Sequence, residues 1–285
     1  MSDVRMAVVM PVGPNLDPEF VDDTLASVEH YARPGYRLIL IDDSGTDLCH
    51  SLRRSKDVTI LIAGISGMRG ALYLNVSAGF RAALEQPFDI LLKLDTDALV
   101  IGSGFEAAAA DFFRAHPRVA TLGAHNRDYD GTPANKSWER NQILQHMTIR
   151  WRNTPKTSAL IGWLIVRAWR HGYYLGESVD GGVCIYSRAV IEALGKNKLL
   201  GDPRLGKSKL EEDHLFGLAL RACGMELADF GSFDDELPIG CHLRRLAASP
   251  EDLVKAKKAL IHSTRLWEDM DEAAIRAYFG RLRNN

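Results

Sequence analysis

Apolar residues in the first 123 positions fall into short unbroken runs separated by longer stretches with a one-sided apolar stripe. The runs are RMAVVMPV (5–12), YRLILID (36–42), VTILIAG (58–64), DILLKLDTD (89–97) and RVATLGA (118–124). They do not alternate apolar with polar, as a half-exposed strand would, so they predict strands buried on both faces. Between them, LDPEFVDDTLASVEHYA (16–32), ALYLNVSAGFRAALE (71–85) and GFEAAAADFFRAH (104–116) carry helical patterns. Asp17 is the expected N-cap of the first of these, and Pro18 suits its first turn. Strand–helix–strand repetition predicts an α/β fold with a mostly parallel, Rossmann-like sheet covered by helices on both faces. Right-handed crossovers then gather the C-terminal ends of the strands on one edge, where open α/β sheets bind ligands. Asp42, Asp43, Asp95 and Asp97 all fall at such ends.

The second half is less regular. SWERNQILQHMTIRWRN (137–153) and SALIGWLIVRAWRHG (158–172) read as helices rich in Trp and Arg, and no strand is expected between 124 and 180. GGVCIYS (181–187) and MELADFG (225–231) read as strands. EEDHLFGLALRACG (211–224) reads as a helix closing at Gly224, a natural C′ residue. SPEDLVKAKKALIHSTRLWEDM (249–270) and DEAAIRAYFGRL (271–282) read as C-terminal helices, the former capped by Ser249. With no linker or internal repeat, the 285 residues are expected to form one domain: a nucleotide-binding half (1–123), an acceptor and catalytic half (124–245) and C-terminal helices (246–285).

Composition narrows the function. A net charge of −2 leaves no basic field for nucleic acid. No apolar run approaches the ~20 residues of a membrane span. The Trp/Arg-rich segment, Trp138 to Tyr174, reads as the place where an acceptor would dock; a core stripe at helical spacing competes, and a surface that grips a membrane or a partner subunit stays open. The four cysteines form no C-x-x-C pair, which fits reduced thiols in a cytoplasmic protein, and the N-terminus does not read as a signal peptide.

Two pairs of acids carry candidate chemistry. Asp95 and Asp97, two apart at a strand end, share a face and offer hard oxygens to Mg²⁺ or Mn²⁺. The competing reading is a strand end whose acids accept loop amides. Glu212 and Asp213 open a helix, where the macrodipole alone favours acids. Asp42 and Asp43 sit in DDSGTD, which also reads as an Asx turn. GISGMRG (64–70) opens a helix whose amides attract anions, with Arg69 as added charge.

Taken in order, VVMPV, LILIDDSGTD, LLKLDTDALV, GGVCIYSRAVIEAL and EEDHLFGLALRACG resemble a GT-A fold glycosyltransferase of the family 2 type. The likeness covers roughly residues 5–242. It departs from the family's pattern in its first loop, in the inverted order of DDSG, and in lacking a properly placed Q-x-x-R-W, which argues against polymer synthesis. The resemblance implies a metal-dependent, inverting transferase that moves one sugar from a nucleotide-diphosphate sugar, by default a UDP-sugar, to an acceptor hydroxyl. It makes Asp97 the metal ligand, with His242 as an added one, and places Asp95 near the ribose. Pro11, Asn15, Asp42 and Asp43 would line the nucleoside pocket. Gly182 and Glu212 would face the sugar, and Asp213 would be the general base. Two other classes compete: a non-catalytic nucleotide-sugar or glycan binding module, and a sugar-1-phosphate nucleotidyltransferase, whose longer Gly-rich first loop is missing here.

Overall fold

The computed structural model describes residues 4–52, 58–231, 237–242 and 244–284. It is a mixed α/β structure built on a seven-stranded, mostly parallel sheet flanked by helices. The first half contributes β1 (Met6–Val12), α1 (Pro18–Tyr31), β2 (Arg37–Asp42), the short α2 (Leu48–Ser51), β3 (Val58–Ile62), α3 (Gly70–Leu84) and β4 (Ile90–Leu94). A three-residue strand, β5 (Ala98–Val100), precedes α4 (Phe105–Ala115) and β6 (Val119–Gly123). The Asp17 side chain caps α1 by accepting from the Glu19 amide, with Pro18 at its first position.

In the second half, α5 (Ser137–Met147), a 3₁₀ turn (Arg150–Arg152) and α6 (Pro155–Trp169) lead to β7 (Val183–Ser187) and α7 (Arg188–Lys196). Then come α8 (Glu212–Ala222), β8 (Glu226–Asp229) and β9 (Ile239–Cys241). Gly224, at φ +81°, ends the α8 segment in the left-handed conformation expected of it.

The main sheet has the order β3-β2-β1-β4-β7-β6-β8. All neighbours are parallel except β7, which runs against both β4 and β6. The expectation of a mostly parallel sheet holds, with GGVCIYS as the reversed strand. Reversal brings the start of β7 beside the end of β4, with Val183 opposite Leu94. Burial on both faces is direct. Ala7, Val9, Ile39, Ile41 and Leu91 enter one core with α3, α6 and α8. Val8, Met10, Leu38, Leu40 and Leu92 enter the other, with α1 and α4. Period-two alternation therefore divides each strand between two apolar layers, and the sequence shows no polar alternation.

The C-terminal region differs from its expected helices. α9 (Pro250–Lys255), capped by Ser249, stops after six residues. The chain then forms β10 (Leu260–His262), which lies between β5 and β9 in a three-stranded second sheet. A small hairpin, β11 (Leu266–Trp267) and β12 (Met270–Asp271), precedes α10 (Glu272–Arg283). The cause of the break is long-range. Leu260 and Ile261 are fully buried by strands distant in sequence, which outweighs the local helix preference of AKKAL.

A buried imidazole links α5 to the loop before α8. His146 Nε2 accepts the Lys209 amide at 2.9 Å and lies 3.2 Å from Ser208 Oγ. Burial and the nearby charges of Arg150 and Lys209 push its pKa down to about 4. Because the folded pKa lies below the unfolded one, the unfolded chain gains protons first as pH falls. Stability is therefore lost between roughly pH 6.5 and pH 4. This residue is expected to remove about 2 kcal/mol between about pH 7 and pH 5. Urea midpoints of the wild type and His146→Gln at both pH values check this; parallel slopes with pH would refute it.

Candidate active site

The D-T-D turn follows the C-terminal end of β4, and the C-terminal region clamps it. Thr264 donates its amide (2.8 Å) and its hydroxyl (3.0 Å) to the Asp97 carbonyl. The buried Arg276 of α10 donates to the Thr96 carbonyl at 2.6 Å, and Thr24 of α1 donates to the same oxygen at 2.9 Å. The Asp97 carboxylate accepts from Ser263 Oγ (2.9 Å), faces Arg265 Nε (2.8 Å) and lies 3.4 Å from His262 Nε2. Burial works to raise its pKa, but His262, Arg265 and Ser263 outweigh this and hold it well below the usual carboxylate range.

One buried cation joins the two acidic motifs. Lys93, 2% exposed, pairs with Asp95 Oδ1 at 2.6 Å and with Glu212 Oε1 at 3.0 Å, and donates to the Gly181 carbonyl. Burial alone would favour a neutral amine, but Asp95 and Glu212 together push the Lys93 pKa up. Burial raises Asp95 to about 6 despite Lys93, with Glu212 and Asp97 adding like charge. Lys93 holds Glu212 ionised. Burial, then the charges of Glu212 and Asp180, push Asp213 well above the ordinary range. Two carboxylates, Asp95 and Glu212, share the one ammonium, with Asp213 close by, and a further cation beside Asp95 would ease their mutual repulsion.

Gly181 and Gly182 lie between these groups. A Cβ on Gly181 would stand 2.7 Å from Glu212 Oε1 and 3.3 Å from Asp213 Cβ, and a Cβ on Gly182 would collide with the His262 ring. Only glycine allows both approaches. Asp213 and His262 thus sit against adjacent residues of one backbone, while the Gly182 carbonyl accepts the Asp95 amide at 2.9 Å. The partner of Gly182 is an imidazole of the protein itself.

Asp95, Asp97 and His262 each offer a ligand atom, all within 4.8 Å of one another, and this group can hold a metal ion. Two carboxylate oxygens and an imidazole nitrogen suit a hard or borderline divalent ion. His242, the imidazole expected from the sequence, contributes no atom to this group. It follows β9, where its amide donates to the His262 carbonyl at 2.6 Å and its Nδ1 accepts from the Arg244 amide at 3.3 Å. The pairing of β9 with β10 brings the two histidines side by side, but His262 is the one directed at Asp97.

The residues expected to bind the nucleoside divide into two kinds. Asp42 is committed internally: Oδ1 accepts from the Ser44 amide (2.9 Å) and hydroxyl (2.6 Å), and Oδ2 accepts from the Cys49 amide (2.8 Å). Burial opposes these bonds, but they hold its pKa below the ordinary range. This is the Asx turn that DDSGTD also predicted. Asp43 is half-buried, accepts the Gly67 amide at 3.0 Å, and lines a cleft of about 420 Å³ with Pro14, Gly45, Ile62 and Ser66. Pro11 lies within β1 opposite Ile41, and Asn15 lies exposed in the loop after β1 with φ +59°. Arg69 is held by Glu211 at 3.1 Å and lines a second cleft of about 600 Å³ together with Lys207 and Lys209.

Lys93, His262, Arg265 and Arg276 escaped the sequence reading as site residues. For Lys93 a signal existed: a lone cation in a buried strand, on the same face as Asp95 and Asp97. His214, which reads as a surface residue of its helix, is buried between Asp213 (3.8 Å), Glu139 (4.0 Å) and the half-exposed ring of Trp138, at 5.8 Å between centroids. Comparison of the chain with protein-family models and with curated proteins gives no match to either.

Proposed function

We propose that this chain is a GT-A-type, metal-dependent, inverting glycosyltransferase that moves one sugar from a nucleotide-diphosphate sugar, by default a UDP-sugar, to an acceptor hydroxyl. The observation that carries the reading is the Lys93 bridge. It joins a cation-binding group at one strand end to the acidic start of a helix, with the glycine pair between them.

In this reading Asp95, Asp97 and His262 hold a divalent ion, Mn²⁺ or Mg²⁺, which when bound neutralises the diphosphate as it leaves. The cleft beside Asp43, with Pro14 of the loop after β1 on its lining, takes the nucleoside. Gly182 and Glu212 lie between this donor side and Asp213. Asp213 takes the proton of the acceptor hydroxyl as that oxygen attacks the anomeric carbon. The bond from that carbon to the diphosphate oxygen breaks on the opposite face, and the configuration inverts. Its raised proton affinity suits Asp213 to this role. Lys93 keeps Glu212 ionised and fixed, so the proton goes to Asp213. Trp138, half-exposed beside His214, offers a ring against which an acceptor can stack.

Melting temperatures with UDP, GDP, dTDP and CDP, each with and without Mn²⁺, test the reading. One nucleotide is expected to raise the melting temperature only when the ion is present, and Asp97→Asn should abolish that rise. His262→Ala should abolish it too, whereas His242→Ala should leave most of it. Equal losses in the two histidine variants would refute the ligand assignment. No ion-dependent rise with any nucleotide would refute the donor class. Ion-dependent binding without transfer to any hydroxyl would indicate a binding module.

A further inference from the structure

No helix among the described residues is long and apolar enough to cross a membrane. The outer face of α6 is nevertheless unusual. Its inner residues, Leu160, Ile161, Leu164, Ile165 and Ala168, are buried in the core shared with α8. Its outer face exposes Trp163 (47%), Val166 (50%) and Trp169 (59%), and the turn leading into it exposes Ile149 and Trp151. Trp163, Val166 and Arg170 are spaced i, i+3 and i+7, and so lie along one stripe with Lys156 one heptad earlier. The Arg167 guanidinium sits 4.7 Å over the Trp163 ring.

Charge accompanies this apolar face. Between Lys136 and Arg170 the chain carries seven lysines and arginines and a single acid, Glu139, while the whole chain carries −2. Glu139 is buried and turned toward His214. Arg152, Lys156, Arg167 and Arg170 form no ion pair among the described residues. A soluble protein surface normally interleaves both signs and scatters its tryptophans singly. Here unpaired cations and indoles share one helix face, and their chemistry matches an anionic headgroup layer over an apolar interior.

We infer that the outer face of α6 docks the protein on an anionic bilayer surface, with Trp163 and Trp169 inserted at headgroup depth and Lys156, Arg167 and Arg170 on lipid phosphates. A protein partner fits less well, because the core of a protein interface is depleted in charge. The inner face of the same helix packs on α8, which carries Glu212 and Asp213, so docking would hold those acids at a fixed height above the lipid. The inference does not depend on the proposed reaction, and its test requires no turnover.

The test is co-sedimentation of the full chain with phosphatidylcholine vesicles, with and without phosphatidylglycerol. Binding is expected with the anionic vesicles, weak with the neutral ones, and weakened by salt. Trp163→Ala/Trp169→Ala should lower the partition coefficient roughly tenfold or more. Lys156→Gln/Arg170→Gln should lower it by about fivefold for each cation removed. These side chains are exposed, so melting temperatures should stay near wild type and separate docking from folding. No binding to anionic vesicles, equal binding to neutral ones, or unchanged binding of the tryptophan variant would overturn the inference. So would a dimer in light scattering that Trp163→Glu dissolves without any vesicle binding, since that outcome assigns the face to a second copy.

Discussion

Replacing Asp213 with asparagine is expected to reduce sugar transfer by about 10²–10⁴-fold, the range for loss of a positioned general base. The substitution is nearly isosteric. An asparagine oxygen can still accept the His214 amide, which Asp213 Oδ1 does now at 2.8 Å, so the start of α8 should keep its shape. The atoms proposed to hold the ion belong to Asp95, Asp97 and His262, so the proposed ion-dependent stabilisation by a nucleotide should survive. A pH signature goes with the loss. As the proposed base Asp213 would act when ionised, and burial with Glu212 and Asp180 raises its pKa. The wild-type rate should therefore fall as pH drops through a value above the ordinary carboxylate range, and the variant should lack that limb. A variant that keeps most of its turnover would remove Asp213 from the chemistry.

Replacing Lys93 with methionine is expected to have the largest effect on stability, about 3–5 kcal/mol, the typical result of breaking a buried ion pair from one side. The stem fits the same space, so the change removes the ammonium, its two ion pairs and its bond to the Gly181 carbonyl. Asp95 and Glu212 would face each other without the ammonium that now lies 2.6 Å and 3.0 Å from them. Mn²⁺ should recover part of the lost stability, because a cation at Asp95, Asp97 and His262 restores some of the missing charge. Urea titrations of both proteins, with and without Mn²⁺, measure this. A loss no larger than that of an exposed lysine would show that Asp95 and Glu212 are not held by Lys93.

Much of this site was legible in the sequence because its parts stand at element boundaries. Asp42 and Asp43 end an unbroken apolar run, Asp95 and Asp97 follow another, and Glu212 and Asp213 open a helix whose stripe and terminal Gly224 are unmistakable. What could not be read depends on contacts between distant segments. His262 lies in a stretch of lysine, alanine and leucine that favours a helix locally, and it becomes a strand only because β5 and β9 accept it on either side. The expectation of His242 came from the family resemblance alone, whereas the β9–β10 pairing sets His262 beside Asp97. Asp42 illustrates a different limit. An Asx turn and a ligand contact use the same residue in the same pattern, and only the occupied oxygens show that the turn claims both.

The reversed strand β7 has a consequence for how such a protein can diversify. Residues 124–182 leave the sheet at the end of β6 and return at the same edge, where β7 starts beside Asp95. Both anchors of that excursion, the Asp180 amide on the Ala124 carbonyl and the Asp95 amide on the Gly182 carbonyl, are main-chain bonds indifferent to the side chains between them. The segment is not held by these bonds alone: Leu160, Ile161, Leu164 and Ile165 of α6 lie in the core shared with α8, so any replacement must keep that apolar inner face. Changes confined to its outward-facing positions, such as Trp163, Val166 and Trp169, would leave β1–β4 and the C-terminal clamp on the D-T-D turn as they are.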